Sequence, residues 1–349
     1  MAITAALVKE LRERTSAGMM ECKKALVETN GDIDAAAELM RKAGLAKADK
    51  KASRIAAEGR VTFAISDDNQ FASILEVNCE TDFVSKGDIF ADFAQSVVDL
   101  AVANKIDNLE ALNKADLNGE SVDNTRRNLI TKIGENINVR RIDSIDTSGV
   151  INGYVHGGGK VGVIIAASCD DSVRDEAQEL MRNLAMHAAA MKPSAISYKD
   201  LDLDFVEKET AAIRAEIENG NDELVRLGKP LKRIPDFVSR HQLTDEVLAQ
   251  KEAEMRDVLK AQGKPEKIWD RIIPGQLERY IKDNTQLDQE HALLSQTFVM
   301  DDKKTVEQAI ADVDASIQIT HYVRYGLGEG IEKKVDNFVE EVMAQAKGR

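Results

Sequence analysis

Aromatic residues, cysteines and prolines are all scarce in this sequence. Only 4% of its 349 residues are aromatic, and it has three cysteines and five prolines. The cysteines, Cys22, Cys79 and Cys169, are odd in number, lie far apart and form no C-x-x-C pair. That pattern indicates neither a disulfide framework nor a zinc site, so we expect buried free thiols and no bound metal.

Long apolar runs and an excess of positive charge are also missing. No stretch approaches the roughly 18 to 20 apolar residues that a membrane helix needs. The start, Met1–Glu10, lacks the apolar segment and cleavage site of a signal peptide, and its acidic residues are unlike a transit peptide. The formal net charge of -14 disfavours binding to a phosphate backbone, which depends on Lys and Arg. We expect a soluble cytoplasmic protein that binds another protein, with no membrane and no direct nucleic-acid contact.

Catalytic motifs are absent as well. The five histidines are never four residues apart or next to a cysteine, and no G-x-S-x-G motif occurs. Residues 157–162 spell G-x-G-x-x-G, but a dinucleotide site needs a helix next, and the β-branched run Val161–Ile165 follows instead. Gly159-Lys160 is not a P-loop either, because Val161 replaces the required Ser or Thr. We predict a hairpin turn here, no cofactor and no covalent chemistry.

The first part of the chain predicts a separate helical module. The length suits two or three domains. Within residues 1–54, apolar residues recur at helical spacing and are interrupted at Thr15–Gly18 and Asn30–Asp32, which predicts three short helices. Lys47–Arg54 is basic and rich in Ala, which predicts a linker or an exposed helix before a boundary near residue 55.

Two later segments share one pattern, a hairpin followed by a helix. The first hairpin is predicted over Val61–Ile65 and Ala72–Cys79, and the second over Val150–Val155 and Val161–Cys169. We predict an α+β fold with a duplicated core, in which each half is a small antiparallel sheet with helices on one face. The predicted halves are 55–142, and 143–200 with 292–325.

A strongly charged segment, residues 201–291, separates the parts of the second half. Its narrow apolar stripes predict an inserted helical arm, an antiparallel coiled coil. Leu227–Ile234 resembles Gln262–Ile268, which suggests a partial duplication that lengthens or doubles this arm, a change that an exposed tip tolerates. After the arm we predict strands at Gln296–Met300 and Ser316–Tyr325, and then a C-terminal helical module over 326–349.

Ten blocks of sequence, in the same order, resemble the elongation factor Ts family. They are Leu7–Thr15, Gly18–Leu26, Asn30–Asp32, Glu76–Val84, Lys132–Arg141, His156-Gly157, His187, Lys192-Pro193, Phe298–Met300 and Gly328–Lys333. The resemblance implies a guanine nucleotide exchange factor that promotes release of GDP from the GTPase elongation factor Tu. It also implies an N-terminal domain like ubiquitin-associated domains. The complex could be a simple pair or a dimer of heterodimers. The arm is longer than is usual in the family.

The resemblance further assigns Thr81, Asp82, Phe83 and Val84 to the segment that disturbs the partner's magnesium site. An exposed aromatic side chain suits this role because its apolar area is buried only when a partner offers a pocket. The residues by themselves allow another interpretation, in which Phe83 is a core residue at the start of a helix and Asp82 is the N-cap of that helix.

Other partner contacts are implied for Leu11, Met19, Met20 and His156. Adjacent methionines on a helix point in different directions, so at least one should be exposed, and a flexible thioether suits an apolar groove. The alternatives are partial burial of both methionines and a purely structural His156. Lys132–Arg141 is interpreted as a segment that connects the two halves, with direct contact to the partner as the alternative. A pure binding module is a further alternative, but it leaves Thr81–Val84 unexplained.

Overall fold

The computed structural model describes residues 3–15 and 17–332, without the side chains of Leu45 and Lys47. These residues form helices and small antiparallel sheets, as an α+β fold requires. The described residues pack as two compact units, one with the residues up to 164 and those from 323 to 332, and the other with residues 165–322. The finer division into five modules stays a prediction. The predicted C-terminal helix lies outside the described residues from 333 onward.

Three helices open the chain, α1 (Ala5–Thr15), α2 (Met19–Glu28) and α3 (Ile33–Lys51). Asp32 caps α3, because its carboxylate accepts hydrogen bonds from the backbone N–H groups of Asp34 and Ala35 at 3.0 and 2.9 Å. The apolar faces of the helices meet in a small core. Helix α3 runs through most of the predicted linker, and Ala48 is buried against the core of the first sheet.

The first sheet has the order β1-β2-β5, with strands β1 (Glu58–Ile65), β2 (Phe71–Cys79) and β5 (Ile137–Asp146), all antiparallel. The central strand β2 is buried along its whole length. Between β2 and β5 lie α4 (Asp82–Ser85), α5 (Asp88–Ala103), α6 (Leu109–Lys114), the two-residue strands β3 (Asp116–Leu117) and β4 (Glu120–Ser121), and α7 (Val122–Ile133). Their apolar faces cover the sheet and form its core, which we call the main core.

The second sheet has the order β6-β7-β8, with strands β6 (Val150–His156), β7 (Val161–Ser168) and β8 (Gln318–Gly326). Both predicted hairpins are therefore present. The glycines of the G-x-G-x-x-G run have separate structural causes. Gly157 and Gly159 have positive φ in the turn, at +61° and +101°, whereas a Cβ at Gly162 would lie 2.4 Å from a methyl carbon of Val61.

The remaining unit is mainly helical. It contains α8 (Arg174–Met191), α9 (Leu203–Arg226), α10 (Asp245–Ala261), α11 (Trp269–Asp283), α12 (Gln286–His291) and α13 (Val306–Val313). Short 3-10 helices cover Asp171–Val173, Tyr198–Asp200, Arg240–Gln242, Glu266–Ile268 and Leu293–Ser295. None of the helices in the described part of the chain has the length and apolar character that a membrane span requires.

One strand prediction in this unit is wrong. Residues 296–300 form an isolated bridge from Thr297 to Thr305 and then a turn, because the polar run after Met300 reverses the chain at once. The amide of Phe298 donates to the carbonyl of Lys304 at 2.9 Å and closes this reversal. The later prediction is confirmed by β8.

The arm is helical, but the coiled coil is not confirmed. Along the C-terminal part of α9, the adjacent chain is the extended segment after Gly228. The Asn221 side chain pairs with both backbone groups of Lys232 at 2.7 and 2.8 Å, and Arg214 donates to the carbonyl of Asp236 at 2.5 Å. Helices α10 and α11 pack together through Leu259, Trp269 and Ile273. The arm therefore contains two hairpins: in the first a helix packs against an extended segment, and in the second two helices pack together.

The two similar Gly-Lys-Pro sequences end the first helix of each hairpin in the same way. Gly228 and Gly263 follow α9 and α10 with positive φ, at +62° and +69°. The next amide, of Lys229 or Lys264, donates to a carbonyl five residues earlier, at 3.0 Å in both cases. This is the Schellman pattern of helix ends, so the repeated sequence corresponds to a repeated helix end.

Candidate functional site

The segment Thr81–Val84 leaves the buried strand β2 and turns directly into the short helix α4. Thr81 has an extended backbone, and its Oγ1 accepts a hydrogen bond from the amide of Val84 at 3.5 Å. Thr81 is thus the N-cap, and Asp82 stands in the first turn of the helix. The alternative interpretation that made Asp82 the N-cap is wrong, because the helix begins at Asp82, one residue earlier than that interpretation assumed.

Phe83 is exposed to solvent over 85% of its surface. The alternative that placed Phe83 in the core is therefore wrong. The helical turn directs Val84 and Ser85 inward, where Val84 packs against the main core, and this leaves Phe83 on the outer side. Ile89, at the start of α5, is also half exposed. An apolar ring that is mostly surrounded by water in the free protein is suited to insertion into a partner.

Asp82 carries its charge beside this ring. Its Oδ2 lies 2.6 Å from the Nζ of Lys86, one helical turn later. The hydrogen bond from Lys86 and the positive charge of that residue lower the pKa of Asp82, so the carboxylate is ionised at neutral pH. The pair is exposed, and a partner could therefore separate it at little cost.

The residues 80–85, which we call the Phe83 turn, are supported from below by Glu135. The Glu135 Oε2 accepts hydrogen bonds from the backbone amides of Glu80 and Thr81 at 3.1 and 3.0 Å. Its Oε1 accepts a third from the hydroxyl of Thr81 at 2.6 Å. One carboxylate thereby fixes the direction in which the chain leaves β2.

Asn136 connects the start of the Phe83 turn to the residues that follow the three N-terminal helices. Its backbone amide donates to Glu80 Oε1 at 2.6 Å, and its side-chain amide donates to the carbonyl of Arg54 at 2.8 Å. Asn136 is buried, so these bonds are shielded from water. The interpretation of Lys132–Arg141 as a connecting segment is therefore corrected. The segment completes α7, supports the Phe83 turn and then forms strand β5.

Cys79 is a structural thiol at the base of the turn. It is fully buried, and its Sγ donates to the carbonyl of Thr81 at 3.1 Å. Burial raises the pKa of Cys79 to about 12, so the thiol stays protonated and acts as a donor. Among the described residues, no group of His, Cys, Asp or Glu side chains is arranged to hold a metal ion.

The other predicted contact residues divide into exposed and buried ones. Met19 and Met20 at the start of α2 are 58% and 77% exposed. Leu11 is fully buried in the core of the three helices, so in this conformation it supports α2 but offers no surface. His156 is exposed at the end of β6, and its Nδ1 lies 3.1 Å from the hydroxyl of Tyr154.

Comparison with known proteins assigns this arrangement to a family. The family model described as Elongation factor TS matches residues 80–234 and 232–329. Three similar proteins are named Elongation factor Ts. One from Aliarcobacter butzleri is 57% identical over 98% of both chains. Those from Campylobacter fetus and Helicobacter pylori strain 26695 are each 51% identical over 99% of both chains. The chain belongs to the elongation factor Ts family. It is accordingly a translation elongation factor that acts in protein biosynthesis.

The family comparison also bears on the long arm. The relatives named above align over nearly their whole length, so they share the arm. The family model matches in two parts that overlap at residues 232–234, directly after the first Gly-Lys-Pro sequence. The boundary between the two matched parts therefore lies within the arm.

The sequence prediction missed Glu135 and Asn136 as functional residues. Both lie inside a block that resembles the family, Lys132–Arg141, but more than fifty positions after the turn that they support. The one local signal was Gly134, which ends α7 with a φ of +91° and marks a sharp change of direction.

Proposed function

We propose that this chain is a guanine nucleotide exchange factor for the GTPase elongation factor Tu. It binds the GDP form of that GTPase, and the Phe83 turn displaces groups that hold the magnesium ion and the phosphates. The exchange needs binding energy and no covalent chemistry. After GDP has left, the GTPase takes up GTP for the next round of elongation.

The energetic argument starts from the nucleotide. GDP is held by backbone donors to its phosphates and by a bridging magnesium ion, so several contacts must be lost together. A factor that binds the open GTPase more tightly than the GDP form lowers the affinity for GDP by the same factor. An acceleration of roughly ten-thousand-fold requires about 5.5 kcal/mol of differential binding.

The exposed Phe83 side chain can provide a large part of this energy. Burial of a phenylalanine side chain contributes about 1.5 to 3 kcal/mol, and 85% of the Phe83 surface is available for it. An exposed ion pair such as Asp82 with Lys86 contributes at most about 1 kcal/mol. We assign the remaining energy to a wider interface that includes Met19, Met20 and His156.

The observation that carries the proposal is the combination of an exposed aromatic ring with a rigidly supported backbone. The turn beneath Phe83 is held by Glu135, Asn136 and the Thr81 cap, so little conformational entropy is lost when the ring enters a pocket. A surface phenylalanine without a partner would have no reason to be held in this way.

Release of a fluorescent GDP analogue from elongation factor Tu, followed by stopped flow, tests the proposal. We expect the full chain to accelerate release and Phe83→Ala to reduce that acceleration by roughly 10- to 100-fold, the equivalent of about 1.5 to 3 kcal/mol. Val225→Ala is the matched control, since Val225 is 64% exposed on α9. No acceleration by the wild type, or equal acceleration by Phe83→Ala, would reject the proposed role.

A further inference from the structure

A second cluster of charged residues lies on strands β2 and β5, around Glu76. The Glu76 carboxylate has no exposed side-chain surface and lies in the middle of β2. It accepts hydrogen bonds from four residues. The Arg140 guanidinium lies 3.0 and 3.1 Å from its two oxygens, and the Nε of Arg141 lies at 2.6 Å. The Asn78 side chain and the backbone amide of Gly328 each donate at 2.9 Å. The Glu76 carboxylate is therefore saturated by donors from three parts of the chain.

A β-bulge brings both arginines to Glu76. Glu76 pairs with Arg141 and Val77 pairs with Val139, so Arg140 is an extra residue without a partner on β2. In a regular strand, successive side chains point to opposite faces, and only one of the two arginines could reach Glu76. The bulge changes the direction of the Arg140 side chain and brings both guanidinium groups to the same carboxylate.

The arginines also hold the turn at residues 326–330, which we call the C-terminal turn. Arg140 donates to the carbonyl of Glu329 at 2.5 Å, and Arg141 donates to that of Gly326 at 3.0 Å. The Arg141 guanidinium lies 3.9 Å from the centre of the Tyr325 ring. The same cluster therefore joins β2, β5 and the C-terminal turn.

Stability alone is a weak explanation for this cluster. Removing the Glu76 carboxylate and most of two arginine side chains from water costs about as much as their attraction returns, and apolar replacements are often as stable. What an apolar cluster cannot provide is direction, because it has no preferred bond geometry. A buried charge with bonds to two neighbouring arginines determines which residue of β5 occupies the bulge.

The register of β5 matters because both ends of the site depend on it. The last residues of β2 lead from Glu76 to the Phe83 turn. Strand β5 begins directly after Glu135 and Asn136, which support that turn. A slip of one residue would move Glu135 by about 3.3 Å along the strand. That distance is enough to break its hydrogen bonds to the amides of Glu80 and Thr81.

We propose that Glu76 is a positioning residue for the Phe83 turn. By holding Arg140 and Arg141 at the bulge, it sets the register that places Glu135 beneath Thr81, and it fixes the C-terminal turn to the same strands. Only the link to nucleotide release rests on the proposed function.

Amide hydrogen exchange of the free full-length protein, resolved by NMR, tests the proposal with Glu76→Gln. We expect exchange at Gly328, Glu80 and Thr81 to become at least about tenfold faster, because a buried pair that loses one charge opens more often. Ser73→Ala is the matched control. The fully buried Ser73 hydroxyl joins the same two strands through Ser144 at 2.8 Å, and its loss should leave all three amides unchanged.

Faster exchange at Gly328 alone, with Glu80 and Thr81 at their wild-type rates, would overturn the proposal. If Glu76→Gln does not fold, Arg140→Gln replaces it, since that variant keeps the pair between Glu76 and Arg141. The exchange rates of the amides of Gly328, Glu80 and Thr81 are then compared with the wild type in the same way. In the GDP release assay, Glu76→Gln should reduce the acceleration and Ser73→Ala should not. A wild-type chain inactive in that assay would reject the exchange function, whereas the amide rates would still decide the role of Glu76.

Discussion

The carboxylate of Glu135 allows a direct test of whether the Phe83 turn must be ordered. Glu135→Ala removes the acceptor of three hydrogen bonds, at 3.1, 3.0 and 2.6 Å. A hydrogen bond to a charged group contributes about 1.5 to 3 kcal/mol when it is shielded from water. Glu135 is only partly buried, so water replaces some of these bonds. We therefore expect a local loss of about 2 kcal/mol and not the sum of three bonds.

A loss of about 2 kcal/mol corresponds to at most a roughly 30-fold change in an equilibrium constant. If GDP release depends on the ordered turn, the acceleration by Glu135→Ala should fall by up to that factor. The whole chain should remain folded, with a melting temperature lower by no more than about 8 °C. Stopped-flow release of a fluorescent GDP analogue measures the first quantity, and circular dichroism measures the second.

Glu110→Ala is the control for the loss of one negative charge, because Glu110 is exposed and its ion pair is the surface contact with Lys114 at 2.6 Å. This variant should behave like the wild type in both measurements. The reasoning is refuted if Glu135→Ala accelerates release as well as the wild type while Phe83→Ala does not. In that case the aromatic ring would act without a preordered backbone beneath it.

Two further predictions concern the cores of the protein. Burial lowers the pKa of His187, so as the pH falls below about 6.5 the unfolded chain takes up a proton that the folded chain refuses, and stability declines. Melting temperatures are measured between pH 5 and 8, at roughly half-unit steps. They should fall less steeply with decreasing pH in His187→Asn than in the exposed control His321→Asn. Equal slopes of melting temperature against pH in the two variants would contradict the prediction. Gly162→Ala should reduce stability to urea by about 1 to 3 kcal/mol, because its Cβ would meet Val61 at 2.4 Å. Gly158→Ala, whose Cβ would meet nothing within 4 Å, should cost only about 1 kcal/mol, and an equal loss in both variants would argue against close packing at Gly162.

Much of the fold could be predicted from local patterns. The three N-terminal helices and both hairpins follow from apolar spacing and from turn residues such as Asn30–Asp32 and Gly157–Gly159, and the structure confirms them. The strand expected at Gln296–Met300 was wrong because the polar residues after Met300 reverse the chain, which leaves Val299 and Met300 exposed in a turn. The coiled coil expected in the arm is not confirmed, since apolar spacing on α9 does not show whether a helix or an extended chain packs beside it.

The sequence by itself determined most of the helices and strands and the family, because helix periodicity, turn chemistry and long collinear motifs are properties of neighbouring residues. Whether Phe83 faces water or the core could not be decided in that way. Only the tertiary structure placed Phe83 outside, since Glu135 and Asn136 reach the turn from more than fifty residues away. The same holds for Glu76, whose partners Arg140, Arg141 and Gly328 meet at a bulge that no local pattern reveals. Contacts between distant parts of a chain depend on how the sheets pack, and they therefore appear only when the whole chain is folded.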